Sequence, residues 1–340
     1  MSTLSKIKNL LITRLKMGDP FEKIATVLWV ISLFIANAIL TEQEFDKFIL
    51  YFFIVGAILM VIYYERLRRA NEKIIKQKQE IEYQKRLVEE KNKEITDSIN
   101  YALRIQTAIL PPARIVQEYL LNSFILFKPK AIVSGDFYWM ETNENTIYFA
   151  ACDCTGHGVP GALVSMVCHN ALNRAVREFH ISKPSDILNK VNELVIDNFV
   201  KGESQLRDGM DISLCAFNSK TKILQWAGAN NPLWLIKEGE FIETKADKQS
   251  IGNIEDSHPF TNHSFELKSE DSIYIFSDGY ADQFGANGDK KITKKRFSEL
   301  VLSLQGLTMQ EQGIAFDNFI NDHKKNTPQT DDILVMGVKI

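Results

Sequence analysis

Residues 111–340 of this 340-residue chain predict an α+β fold with layered sheets. Short runs rich in β-branched and aromatic residues recur between polar turns, and each is of strand length. The longer helical patterns are clustered in the sequence, whereas a parallel βαβ sheet would alternate them regularly with strands. Because these helical patterns are long enough to cover the faces of sheets, a layered sandwich is the expected arrangement.

The individual elements follow from periodicity and from turn residues. The predicted strands are 123–128, 132–141, 146–152, 211–218, 222–228, 232–237, 241–244, 262–267, 272–277 and 333–340. The predicted helices are 160–179, 184–201, 294–304 and 308–324. Pro160 stands in the first turn of the first helix, where a missing backbone amide leaves no helical hydrogen bond unmade.

A long helical linker is predicted for residues 65–110. This stretch lacks Gly and Pro and is rich in good helix formers. Apolar or small side chains recur at every seventh position: Leu67, Ile74, Ile81, Val88, Ile95, Ala102 and Ile109. The stripe favours a weak parallel coiled coil, and therefore a homodimer through the linker. A single solvated helix is the alternative, because a stripe one residue wide buries little area. Pro111 and Pro112 end the helix.

Two uncharged runs near the N-terminus, 24–40 and 48–64, predict a transmembrane hairpin over residues 24–64. Basic residues precede the first run and follow the second, so the positive-inside rule places the tail 1–23 and the large domain in the cytoplasm. The expected location is the cell inner membrane, as a multi-pass protein. A signal peptide ending near Ala36 and a pair of buried soluble helices are the alternatives. Flanking aromatic and basic residues favour the hairpin.

Composition excludes several classes of protein. A formal net charge of -3 argues against general nucleic-acid binding. The cysteines are Cys152, Cys154, Cys168 and Cys215. Since no second pair and no histidines stand at zinc-ligand spacing, buried reduced thiols are expected rather than a zinc site or a disulfide. No phosphate-binding loop of the Walker type and no Gly-x-Ser-x-Gly elbow is present.

Four aspartates carry most of the functional information, because each adjoins a polar or glycine-containing turn beside an apolar run. They are Asp136, Asp153, Asp278 and Asp331. Any one of them could simply cap a turn. Four that converge without a compensating Lys or Arg would repel one another, and a hard divalent cation relieves that repulsion. Two such ions ~3.5–4 Å apart activate water against a phosphate ester, so the pattern predicts a two-metal hydrolase.

Several motifs in residues 111–340 resemble one known family. They are 133–139 (Val-Ser-Gly-Asp-Phe-Tyr-Trp), 153–162, 276–279 and 329–333, and residues 105–112 resemble the linker that precedes such a domain. Together they are similar to the SpoIIE/RsbU-type branch of the PP2C protein phosphatases. The resemblance implies an α-β-β-α sandwich (PP2C-like) with Mn²⁺ or Mg²⁺, two ions being expected, at the edge of two central sheets.

The resemblance also implies roles for individual residues. The metal contacts would be Asp136, Asp153, Asp278, Asp331 and the backbone carbonyl of Cys154, with Asp153 bridging the ions. Asp332 is a weaker candidate, and Asp211 is a further acid near the site. His157 could donate a proton or shape its loop. Lys128 and Lys130 could replace the phosphate-binding arginine of the eukaryotic branch, or could simply be solvated.

The function implied is that of a membrane-anchored, metal-dependent protein serine/threonine phosphatase. In this family the substrate is typically a phosphorylated STAS-type anti-anti-sigma protein in a partner-switching pathway. Two alternatives remain at this point: a catalytically inactive scaffold with the same fold, and a membrane sensor that acts by binding a partner. The complete set of four aspartates argues against the scaffold.

Overall fold

The computed structural model describes residues 20–39, 41–200, 208–252, 257–288 and 290–340. They belong to two units, one reaching Lys91 and one spanning Asn92–Ile340. Most of the predicted cytoplasmic tail lies outside the described residues, so that assignment stays a prediction.

The described residues of the first unit form two helices, α1 (Pro20–Ile39) and the N-terminal part of α2 (Glu42–Ile109). The Trp29 ring lies 5.2 Å from that of Phe52 and 5.4 Å from that of Phe53, so α1 folds back along α2. In the described chain one helix, α2, is long and apolar enough to cross a membrane; the apolar stretch Thr26–Ala36 is shorter. The predicted linker helix is present as the continuation of α2, without a break after the second apolar run.

The second unit contains two antiparallel five-stranded sheets in its described residues. Sheet A has the order β1-β10-β9-β6-β7 and sheet B the order β2-β3-β4-β5-β8. The strands are β1 (Ser123–Lys128), β2 (Phe137–Asn143), β3 (Thr146–Cys154), β4 (Met210–Asn218), β5 (Ile223–Ala229), β6 (Leu233–Lys237), β7 (Glu240–Thr244), β8 (His263–Glu266), β9 (Ser272–Phe276) and β10 (Ile333–Lys339).

Helices cover both outer faces of the sheets. They are α3 (Ala113–Tyr119), α4 (Gly158–Arg177), α5 (Pro184–Val200), the single turn α6 (Gly279–Asp282), α7 (Thr293–Ser303) and α8 (Met309–Lys324). Thr308 caps α8 through a capping box with Glu311, which satisfies two amides that the first turn leaves free. The predicted α-β-β-α layering is therefore the observed one.

Three apolar cores hold the four layers together. The central core lies between the sheets and includes Phe149, Trp226 and Met336. A second core packs sheet B against α4 and α5, and a third packs sheet A against α7 and α8. Strands buried on both faces explain why β3, β9 and β10 read as continuous apolar runs rather than alternating ones.

One predicted strand began at the wrong residue, and two short helices were not predicted. The strand predicted for 132–141 begins only at Phe137, because residues 132–136 form a loop whose amides bond to side chains instead of to a neighbouring strand. The short helices α3 and α6 were not predicted, since seven and four residues are too few to show helical periodicity. The four cysteines are free and buried, as expected.

Candidate active site

The acidic residues singled out in the sequence meet at one edge of the two sheets. Asp153 lies near the end of β3 and is paired directly with Asp211 on β4. Like charges opposite each other on an antiparallel ladder are destabilising. Asp278 follows β9 and Asp331 precedes β10, which are neighbouring strands of sheet A.

A cavity of about 230 Å³ opens at this edge. Its lining is Asp153, Cys154, Thr155, Gly156, His157, Met210, Asp211, Ser250, Asp278 and Asp331. Three of the four predicted acids therefore share one cavity, together with Cys154. Asp211, which the sequence marked only as a further acid, joins them and accepts hydrogen bonds from Ser250 Oγ (2.6 Å) and Asn230 Nδ2 (2.9 Å).

Asp136 lies behind the cavity and interacts with Asp153. Its carboxylate is 3% exposed and accepts a hydrogen bond from the Ser277 hydroxyl, yet its Oδ2 atom has no hydrogen-bond partner. Burial raises the pKa of Asp136 well above its usual range, and the charge of Asp153 raises it further. A buried carboxylate oxygen without a donor is costly, so this position calls for a cation or a proton.

The cavity acids repel one another in the absence of a counter-ion. Burial, followed by the charges of Asp278 and Asp211, raises the pKa of Asp153 to about 8. Burial also raises the pKa of Asp278, with contributions from Asp282 and Asp331, while the Lys291 ammonium opposes the shift. Groups with raised pKa values that share a cavity are typical of functional sites.

Asp332 differs from its neighbour Asp331, although the two are adjacent in sequence. Its Oδ1 accepts from the Lys130 amide and its Oδ2 from the Gly135 amide, both at 2.7 Å. Both oxygens are thus used to hold the loop that precedes β2. Asp331 keeps its side chain at the cavity, where Oδ1 accepts from the Asp332 amide (2.8 Å).

Glycines let the two loops of the site approach closely. A Cβ on Gly135 would lie 2.3 Å from the Gly156 carbonyl oxygen, and one on Gly161 would lie 2.2 Å from the same atom. Both distances are far shorter than a van der Waals contact. The glycine-containing motifs therefore serve backbone packing between the Asp136 loop and the Asp153 loop, which sets the relative positions of these two acids.

Gln106, in the last turn of α2, is a residue that the sequence reasoning missed. Its Nε2 donates to the Ser134 carbonyl oxygen (2.6 Å) and its Oε1 accepts from the Ser134 amide (3.1 Å). It is 3% exposed and also donates to Ser165 Oγ on α4. The linker end is thus bound to the residue two positions before Asp136. The resemblance of residues 105–112 to a family linker was the only signal of this contact.

The remaining sequence candidates are placed differently. Lys128 forms an ion pair with Asp317 on α8 and is not part of the cavity lining. Lys130 contributes its backbone amide to Asp332, and its side chain is exposed. His157 lines the cavity as the residue before α4, without a capping hydrogen bond from its side chain.

The donor set fits hard divalent cations in charge and in chemistry. Carboxylate and carbonyl oxygens are the ligands that Mg²⁺ and Mn²⁺ prefer, and burial raises the pKa of the Cys154 thiol, which leaves its carbonyl as the suitable donor. Within the described ranges, no group of three or more His, Cys, Asp or Glu side chains is arranged to hold a metal ion by itself. Mg²⁺ usually keeps several water ligands and binds through one or two carboxylates, so an open acidic cavity is the expected form of such a site.

A match to a known protein family identifies the family to which this domain belongs. Residues 143–340 match the family described as Stage II sporulation protein E (SpoIIE), which is more than half of the chain. The chain belongs to the SpoIIE family. The resemblance seen in the sequence motifs is confirmed at this level, and the matched region holds all the cavity-lining residues.

Known proteins similar to this SpoIIE family member agree with that identification. Phosphoserine phosphatase RsbU of Bacillus subtilis is 25% identical over 200 residues, which cover 57% of this chain and 56% of RsbU. The chain thus matches little more than half the length of this curated relative. The PP2C domain of SiaA from Pseudomonas aeruginosa is 29% identical, with a TM-score of 0.67, covering 73% of this chain and 98% of that one.

A more distant solved structure shares the fold. It contains the PP2C phosphatase domain and a fragment of the regulatory domain of SpoIIE from Bacillus subtilis. It is 16% identical with a TM-score of 0.52, and the match covers 64% of this chain and 63% of that chain. The large domain of this protein is a SpoIIE-type PP2C phosphatase domain.

Proposed function

We propose that the protein is a membrane-anchored, metal-dependent protein serine/threonine phosphatase. The observation that carries this proposal is the cavity in which Asp153, Asp278 and Asp331 share one space with raised pKa values for the first two. Membership of a family that contains a phosphoserine phosphatase supports the same activity. The inactive-scaffold alternative loses support, because the acids converge instead of being dispersed.

The proposed metal ligands are Asp136, Asp153, Asp278, Asp331 and the carbonyl of Cys154. Two Mn²⁺ or Mg²⁺ ions, when bound, would supply a water that loses its proton near neutral pH and attacks the phosphorus atom. Asp153 is central among these acids, since the charges of Asp278, Asp211 and Asp331 all act on it. Asp211, held by Ser250 and Asn230, keeps a further negative charge beside Asp153.

The proposed substrate is a phosphorylated serine or threonine of a STAS-domain protein in a partner-switching pathway. The open, acidic cavity favours a phosphorylated side chain of a folded partner as the substrate. It does not enclose the space that a larger small molecule would need. RsbU, a phosphoserine phosphatase, supports the class of reaction. Release of phosphate from free small metabolites in preference to phosphoproteins would contradict this part of the proposal.

The proposed location is the cell inner membrane, with a hairpin over residues 24–64 and the phosphatase domain in the cytoplasm. The apolar start of α2 and the Trp29 contacts with Phe52 and Phe53 support it. The side chains of the second apolar run are largely exposed, as expected for a surface that lipid covers. Recovery of the full chain in the soluble fraction after cell lysis would contradict it.

The linker is proposed to join two copies in a parallel homodimer. Side chains of the heptad stripe, among them Ile74, Ile81, Val88 and Ile95, are each more than half exposed and would be covered by a second helix. A sensor that acts through dimer geometry would use the same surface. A monomeric full chain in sedimentation experiments at all concentrations would exclude this arrangement.

The activity is tested with the purified full chain and with Asp278→Asn. Phosphate release from a phosphoserine protein is followed in EDTA, Mg²⁺ and Mn²⁺ in turn. We expect metal-dependent release that falls at least 100-fold in the variant, since one ligand carboxylate is gone. Glu240→Gln, an exposed carboxylate on β7, is the matched control and should leave the rate unchanged. A folded wild-type chain that releases nothing with any metal would favour the scaffold.

A further inference from the structure

Two metal ions would not fully neutralise the carboxylates at the acidic edge of the sheets, so binding a phosphate there calls for a further positive charge. The five carboxylates that meet there belong to Asp136, Asp153, Asp211, Asp278 and Asp331. Two divalent ions bring four positive charges, so the edge remains net negative before the substrate arrives. A phosphate monoester carries up to two further negative charges, and a fixed cation beside the metals would favour its binding.

The lysines suggested by the sequence do not meet this need. Lys128 forms an ion pair with Asp317 and its side chain is only 26% exposed. The Lys130 amide is used to hold Asp332, while its side chain is exposed. By contrast, Lys291 lies beside the site on the sheet A side, where its Nζ is 2.7 Å from Asp282 Oδ2.

The single turn α6 connects Lys291 to the cavity. Its backbone bond from the Asp282 amide to the Asp278 carbonyl oxygen (3.0 Å) places Asp282 one turn beyond Asp278, a rise of ~6 Å. The Lys291 ammonium therefore stands about one helical turn from a carboxylate that lines the cavity. Its positive charge opposes the rise in the pKa of Asp278 that burial and Asp282 cause.

The backbone around Lys291 is held by hydrogen bonds, whereas its side chain is partly exposed. The Ile292 amide donates to the Gln283 carbonyl oxygen (3.1 Å), and Phe284 and Lys291 form a β-bridge. The ammonium lies 5.5 Å from the centre of the Phe284 ring. Lys291 and Asp282 side chains are 40% and 44% exposed, and ion pairs of such exposure contribute little stability, so replacing one costs little.

We propose that Lys291 binds the phosphate group of the substrate, leaving Asp282 for the phosphate when substrate enters the cavity. This inference rests on the proposed phosphatase function. The flexible four-carbon stem and three N–H donors of lysine suit a point contact with a phosphate oxygen. Asp282 acts as a competing anion that holds the ammonium in place between turnovers.

The test compares Lys291→Met, Asp282→Asn and the wild-type full chain in the presence of Mn²⁺. KM for a phosphoserine peptide and the inhibition constant of inorganic phosphate are measured. We expect Lys291→Met to raise both by about tenfold or more, the usual effect of one charge-assisted hydrogen bond. Asp282→Asn should lower the inhibition constant of phosphate, because it removes the competing anion. Lys295→Met, an exposed lysine on α7, is the matched control for loss of one positive charge.

The two variants are expected to change the inhibition constant of phosphate in opposite directions, and this distinguishes a role in phosphate binding from a structural role. If the Lys291–Asp282 pair only anchors the chain before α7 to α6, both variants weaken phosphate binding and lower the unfolding temperature together, which would overturn the inference. An active wild-type chain with that result leaves the phosphatase function intact. A wild-type chain that is inactive with every metal overturns both proposals.

Discussion

The two walls of the acidic cavity are built in opposite ways. The closed wall consists of Ser134–Asp136 with Asp332, which pack beside the cavity-lining residues Cys154 and Gly156. In it the backbone groups of Ser134 bond to Gln106 on α2, and the Gly135 amide donates to Asp332. The open wall consists of Asp278, which is exposed, and Asp331, which is partly exposed, and the surface ion pair of Lys291 with Asp282 lies next to it. The closed wall is suited to holding a ligand position without movement, whereas the open wall is suited to exchange of water, substrate and product.

The largest effect is expected from adding a side chain at Gly135, where the closed wall leaves no room for one. In Gly135→Ala, the new Cβ would meet the Gly156 carbonyl oxygen at 2.3 Å, so the Asp136 loop and the Asp153 loop must separate. We expect a loss of about 1–3 kcal/mol in the free energy of unfolding and a fall of ~100-fold in phosphate release, as for a misplacement of ~1 Å at a reacting centre.

The matched control for that variant is Gly306→Ala. A Cβ at Gly306 meets nothing within 4 Å, and the position follows α7, away from the cavity. Chemical denaturation and phosphate-release assays on the two variants measure both quantities. Equal behaviour of Gly135→Ala and Gly306→Ala would show that the closed wall tolerates movement, which would remove the contrast between the walls.

The elements of the fold could be predicted well because their patterns are local. Continuous apolar runs between polar turns marked the buried strands, and β1, at Ser123–Lys128, begins and ends as predicted. The loop 132–136 was misassigned because Ile132 and Val133 have strand propensity, while its hydrogen bonds go to Gln106 and Asp332, far away in sequence. The strand propensity of a residue carries no information about hydrogen-bond partners that are distant in the sequence.

The candidate site could be predicted in part, for the same reason. Aspartates at strand ends are visible in the sequence, and Asp153, Asp278 and Asp331 do line one cavity. Asp331 and Asp332 are chemically identical in sequence, and only the amides of Lys130 and Gly135 distinguish the second from the first. Lys291 and Gln106 could not be found from motifs, because their importance depends on the elements that the fold brings beside them.

A smaller effect is expected when Gln106, a hydrogen-bond partner of the closed wall, is removed. Gln106→Ala leaves the Ser134 amide and carbonyl oxygen without their buried partner, which costs about 1–3 kcal/mol. We expect the Mn²⁺ concentration for half-maximal activity to rise about tenfold, as when a group that orients a metal ligand is removed. Gln79→Ala, an exposed position on the same helix, is the control. An unchanged Mn²⁺ requirement with reduced stability would limit Gln106 to a structural role.

The last effect is a pH dependence of stability that should appear only without metal. The unfolded Asp153 carboxyl loses its proton near its ordinary pKa of 3.8, whereas the folded, metal-free protein keeps it until about pH 8. Between these values the folded state binds more protons than the unfolded state, so the free energy of unfolding falls as pH rises. The raised pKa values of Asp136 and Asp278 act in the same direction.

Melting temperatures of the full chain measured in EDTA and in Mn²⁺ between pH 5 and pH 8 separate the two states. In EDTA the melting temperature should decrease with pH, and Asp153→Asn should reduce that decrease, because the amide has no proton to lose. In Mn²⁺ the trend should reverse, since deprotonated carboxylates bind the cation better. Identical pH slopes for the wild type and Asp153→Asn in EDTA would mean that the open wall and solvent already relieve the repulsion. The cavity acids would then bind metal because of their geometry rather than because of their mutual repulsion.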